Sequence, residues 1–136
     1  MWVKKSFTLA ELLAVIVIIG ILVALALPNY NAIKEKSLNR EAKANLALIR
    51  AAEKIYRMEQ GFYYPHLATT NVISDINSDL KLSLPVTPVS WTVNLNSTAA
   101  PEFAEISRTG VGADGRVWKI EYQNEDSTCS GGTACP

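Results

Sequence analysis

Residues 7–28 read FTLAELLAVIVIIGILVALALP, and from Leu12 to Leu27 this run contains no polar or charged side chain. About 20 such residues, each rising 1.5 Å, span a hydrocarbon core of about 30 Å, so the stretch is read as a membrane-crossing helix. Before it stands the short leader MWVKKS at residues 1–6. Its Lys4 and Lys5 would stay on the cytoplasmic side, which sends everything after Pro28 outward. The sequence therefore divides into a leader at 1–6, a hydrophobic helix at 7–28 and a globular part at 29–136.

After Pro28 the pattern becomes amphipathic. Leu38, Ala42, Asn45, Ile49, Ala52 and Tyr56 recur at steps of four and three and share one helix face, which Leu48 and Ile55 widen. Charged residues from Lys34 to Lys54, Glu53 among them, fill the remainder, as expected of a helix laid on a small domain. Gly61 ends a helix expected from about Phe7 to Gln60. Phe62 to Ser90 carries Pro65, Pro85 and Pro88 among many short polar residues and reads as a surface connection with little regular structure. Trp91–Leu95, Phe103–Ser107 and Val117–Tyr122 read as short antiparallel strands, with GVGADG at 110–115 turning between the last two. The tail from Asn124 to Pro136 is poor in strand signals. The expected class is α+β.

Composition narrows the function. A chain of 136 residues with 49% hydrophobic content supports one domain. Lys+Arg and Asp+Glu are both 13, which gives no electrostatic case for nucleic acid as a partner. His66 is the only histidine and no nucleophile has an evident base beside it, so no enzyme is expected. Two thiols with one distant histidine fall short of a zinc site. DINSD at 75–79 begins like a calcium loop, but Leu80 replaces the required glycine and Val86 the bidentate glutamate. Cys129 and Cys135 flank SGGTA near the C-terminus; an exported location favours a disulfide over unlinked thiols.

KKSFTLAELLAVIVIIGILVALALPNY, residues 4–30, resembles the N-terminal signature of type IV pilins and type II secretion pseudopilins. The resemblance implies the type IV pilin fold, a long N-terminal helix packed on a small antiparallel sheet. It implies that a prepilin peptidase cuts between Ser6 and Phe7 and methylates the new amine of Phe7. Ser6 stands where the family usually has glycine. Glu11 becomes the fifth residue of the mature chain, to which the family assigns pairing with the N-terminal amine of a neighbouring subunit. A carboxylate in a membrane helix needs such a partner, the alternative being a side chain that snorkels to the headgroups with help from Thr8. Gly20 and Pro28 bracket a region that loses helicity in some assembled filaments, and a kink or melting is expected there.

The resemblance further implies a structural subunit of a type IV pilus that forms a helical homopolymer, with the pilus or secretion assembly machinery as partner and no cofactor. The chain would sit in the bacterial inner membrane before assembly and in a surface pilus afterwards. A pseudopilin of a secretion or DNA-uptake system is the alternative. A bitopic protein, or one secreted after cleavage near Ala24-Leu25-Ala26, is a further one. Related pseudopilins hold calcium near their sheet, which singles out Asp114, Glu125 and Asp126 as a minor alternative to the expectation of no metal. Tyr56, Phe62, Tyr63 and Tyr64 cluster where the helix ends, and packing accounts for them better than charge transport does.

Overall fold

The computed structural model describes residues 7–86, 90–110, 112–133 and 135, and of residues 26–29 the backbone alone. Ser6 and the leader lie outside the described residues. The chain forms two compact units, Met1–Ser37 and Leu38–Pro136.

Helix α1 runs Leu9–Gln60. In the first unit it has no covering layer: every large hydrophobic side chain from Phe7 to Leu25 is 49% to 82% exposed. The helix assignment continues through Pro28, but the side-chain surroundings of the expected kink lie outside the described residues. The helix stops at Gly61, whose φ of +87° is open to glycine at no steric cost. Its N–H closes the last turn by donating to the Arg57 carbonyl at 2.8 Å.

The second unit packs the rest of α1 on a sheet. Strands β1 (Thr69–Thr70), β2 (Trp91–Asn96), β3 (Phe103–Arg108), β4 (Val117–Glu121) and β5 (Thr128–Ser130) pair antiparallel in chain order. Alternation selects the inner face: Trp91, Val93 and Leu95 on β2, Ala104 and Ile106 on β3, Trp118 and Ile120 on β4. Against it lie Ala42, Leu46, Ile49 and Ala52 of α1. The three central strands fall within one residue of their expected ends.

Four expectations need correction. The stretch from Phe62 to Ser90 is more ordered than its composition suggests, since it holds β1 and a second helix, α2 (Ile73–Asp79), which buries Ile76. The Asn77 side chain fastens the chain behind that helix, accepting the Leu84 N–H and donating to the Leu84 carbonyl, both at 2.8 Å. The tail contributes β5, paired with β4 from Val117↔Ser130 to Lys119↔Thr128. Leu48 and Ile55 do not widen the buried face of α1; both are 54% exposed, and Leu46 is buried instead. Glu53, placed on the solvent side by its charge, is fully buried.

Two further charges are buried at one end of the sheet. Arg108 pairs across the strands with Trp91, and its N–H donates to the Arg116 carbonyl at 2.9 Å. Both guanidinium groups lie over the Trp91 ring, at 5.8 and 5.3 Å from its centroid. Arg108 also donates to the carbonyls of Ser90 and Thr109, and Arg116 lies 3.7 Å from the Asp114 carboxylate. Such pairing and stacking is what lets a guanidinium occupy a buried position.

Candidate functional site

The N-terminal segment that the sequence marked for assembly begins at Phe7, which is 82% exposed. One turn into the chain, Thr8 and Glu11 form a reciprocal cap. The Glu11 N–H donates to Thr8 Oγ1 at 3.2 Å, while the Thr8 N–H and hydroxyl donate to Glu11 Oε2 at 2.8 and 3.0 Å. This is a capping box, built by a threonine and a glutamate three residues on, and it satisfies donors that the first turn leaves without intrahelical partners. Sequence reasoning saw Glu11 as a charge in need of a cation and missed this first role, although the spacing T-L-A-E displays it. The two bonds fall on one oxygen. A carboxylate offers about four lone-pair sites, so the cap leaves it able to accept another donor.

From Leu12 to Leu25 the helix surface is uniformly apolar. Gly20 sits in its middle, and a Cβ built there meets nothing within 4 Å. Among the described residues no contact therefore requires a glycine at that position. Among the described residues no single helix is long and apolar enough to cross a membrane; Leu9–Leu25 and Tyr30–Gln60 taken together pass by length and composition.

The prokaryotic N-terminal methylation motif matches residues 3–27, the segment that holds Phe7, Glu11 and Gly20. Over 60 residues the chain is 42% identical to the type IV major pilin protein PilA of Myxococcus xanthus, a match covering 44% of this chain and 27% of that protein. Over 68 residues it is 37% identical to the type II secretion system core protein G of Escherichia coli, covering 50% of this chain and 44% of the relative. The chain carries this methylation motif and over about half of its length is similar to a type IV pilin and to type II secretion core proteins. Core protein G of Pectobacterium carotovorum is 33% identical over 60 residues, covering 44% of this chain and 38% of the relative. The matches thus span less than half the length of each of these relatives. No solved structure matches significantly.

The remaining marked residues of this pilin-like chain lie in the second unit. Cys129 and Cys135 are joined by a disulfide with their Cα atoms 5.7 Å apart. Of the three acidic residues considered for calcium, Asp114 is engaged with Arg116, and the described residues contain no group of three His, Cys, Asp or Glu placed to hold a metal. The aromatic residues at the end of α1 pack edge to face: Tyr56 meets Phe62 at 6.1 Å and Tyr64 at 5.8 Å. Tyr63 turns away from that group and is buried against Tyr122 at 4.7 Å.

Proposed function

We propose that this chain is the subunit of a type IV pilus, polymerising through helix α1 after a prepilin peptidase cuts between Ser6 and Phe7 and methylates Phe7. The observation that carries this reading is the pairing of an uncovered apolar helix surface with a single carboxylate near its start. An apolar surface of that size has to be covered, first by lipid and then by other copies of itself. In this reading Glu11 receives the Phe7 amine of a neighbouring subunit, and a buried charge pair penalises every wrong alignment of helices that could otherwise slide. Gly20 would let helices approach closely, and Pro28 would mark the point where the helix leaves the packed bundle.

Residues 1–6 would then be the cytoplasmic leader, 7–28 the membrane and filament-core helix, and 29–136 the domain displayed outside. The inner membrane holds the subunit before assembly and the pilus machinery extracts it. A second reading, a type II secretion pseudopilin, is favoured by the similarity to core protein G of Escherichia coli and Pectobacterium carotovorum. It uses the same N-terminal chemistry but keeps the filament short of the cell surface.

Mass spectrometry of sheared surface filaments tests the proposal. The expected N-terminus is a methylated Phe7. An intact Met1, or an N-terminus at Leu27, would overturn it, the latter in favour of an ordinary secretory signal. Recovery of processed chain only from the cell envelope, with none in sheared filaments, would select the pseudopilin.

A further inference from the structure

Glu53 is a carboxylate with no accessible surface, and two elements beyond its own helix donate to it. The Tyr64 N–H donates to Oε2 at 2.9 Å, and the Tyr122 hydroxyl, just past the end of β4, donates to Oε1 at 3.4 Å. The same loop is gripped nearby. The Ser97 hydroxyl donates to the Tyr64 carbonyl at 3.1 Å, and Arg57 donates to the Tyr63 hydroxyl at 3.0 Å while lying over that ring. We propose that Glu53 is a proton-operated latch: protonated, it clamps the loop from Phe62 to His66 onto α1 and β4, and ionised it releases that loop.

The argument is one of charge balance. A buried carboxylate is stable as an anion only with a cation or several strong donors, and here one amide and one long hydroxyl contact supply what there is. The charged and titratable groups around it do not make up the difference. Arg57, one turn along α1, is engaged with Tyr63. The Tyr64 and Tyr122 phenols, both raised by burial, bring no positive charge, and Asp79, beside Tyr64, and Glu102, facing Tyr122, add charge of the same sign as Glu53. Burial accordingly pushes Glu53 from its ordinary 4.5 up to about 7, although the Tyr64 and Tyr122 bonds pull the other way. Burial also raises the Tyr122 hydroxyl, with the Glu53 charge adding to it, so the phenol stays a donor.

The sign follows from linkage. The closed loop binds the proton more tightly than the open one, so closure is fully favoured below about pH 4.5, weakens as pH rises, and loses this contribution above about pH 7. Phe62, the exposed apolar residue of this loop, and Leu67 just beyond it would change their presentation with it.

Hydrogen exchange of the Tyr64 amide in the full chain, held in detergent micelles and corrected for intrinsic rates, tests the latch. Protection should fall roughly tenfold per pH unit from about pH 5 to about pH 7 and then level off. Glu53→Gln keeps an acceptor for the Tyr64 N–H without a charge and should flatten the profile. Tyr122→Phe removes one donor to the anion and should move the levelling point to higher pH. Protection in the parent that does not change with pH, an unchanged slope in Glu53→Gln, or a levelling point that stays or falls in Tyr122→Phe would each overturn the proposal.

Discussion

The indole N–H of Trp118 on β4 donates to Asn39 Oδ1 on α1 at 3.2 Å, joining residues 79 positions apart in sequence. The Lys43 ammonium lies 4.5 Å over the same ring, so one aromatic side chain is clasped by two residues one helical turn apart. Trp118 is among the largest fully packed residues of the second unit, at 2% exposure. Trp118→Ala should destabilise the chain by about 3–5 kcal/mol, and Asn39→Ala, which takes away the acceptor alone, by about 1 kcal/mol. Urea unfolding followed by circular dichroism measures both. Equal losses would mean that the hydrogen bond, and not the ring, organises this contact.

Glu11 closes the cap at the start of α1 and, in the proposed function, also receives a neighbour's amine; the two roles can be separated. Glutamine can close a capping box with Thr8 but cannot neutralise an ammonium. Glu11→Gln should therefore leave helicity, insertion and processing as in the parent, while filaments fail in a strain lacking the parent chain. Electron microscopy and shearing decide it. Normal filaments from the glutamine variant would show that the cap suffices and that electrostatic docking is wrong.

The Cys129–Cys135 bridge should contribute about 2 kcal/mol, as expected for so short a loop. Unreduced protein should resist thiol labelling, and Cys129→Ser with Cys135→Ser should lower the unfolding midpoint accordingly. Within the loop, Gly132 has φ +70°, and an added Cβ would stand 2.7 Å from both Arg116 Cβ and Asp114 Oδ2. Gly132→Ala should cost more than Gly112→Ala, which has φ +80° but open space and so loses only about 1–2 kcal/mol of backbone preference. Equal melting temperatures for the two variants would contradict the contact.

In the proposed processing Ser6 is the last residue before the cut, so the reaction should be limited by the fit of that side chain. Ser6→Gly is expected to mature faster than the parent in a pulse-chase with prepilin peptidase. A rate that is unchanged would place the limiting step elsewhere.

Long-period signals were legible. An uninterrupted apolar run and a stripe at steps of three and four gave α1 to its last residue, and alternation gave β2, β3 and β4. Short elements were not. The two residues of β1 and the seven of α2 are too few to establish a period, and their order comes from packing and from the Asn77 clamp. Glu53 was misplaced for a different reason. Its spacing from Leu46 and Ile49 sets it on the buried face, but its charge argued for the outside, and only the donors from Tyr64 and Tyr122 show why a carboxylate is tolerated there. At the N-terminus the motif is plain in the sequence, whereas the Thr8–Glu11 cap is a three-residue spacing that many helix starts share and that only the hydrogen-bond geometry distinguishes.

The sheet runs in simple sequence order, which leaves two open borders, and both are occupied by stubs: β1 has two residues and β5 three. A long unpaired border is a template on which another chain can add strand by strand. Here β1 is followed at once by α2 and β5 ends in a cross-linked loop. In a crowded polymer, neighbouring domains would then find little backbone to zip against. In the proposed filament this would leave the helix as the surface for self-association, with little margin offered for strand addition.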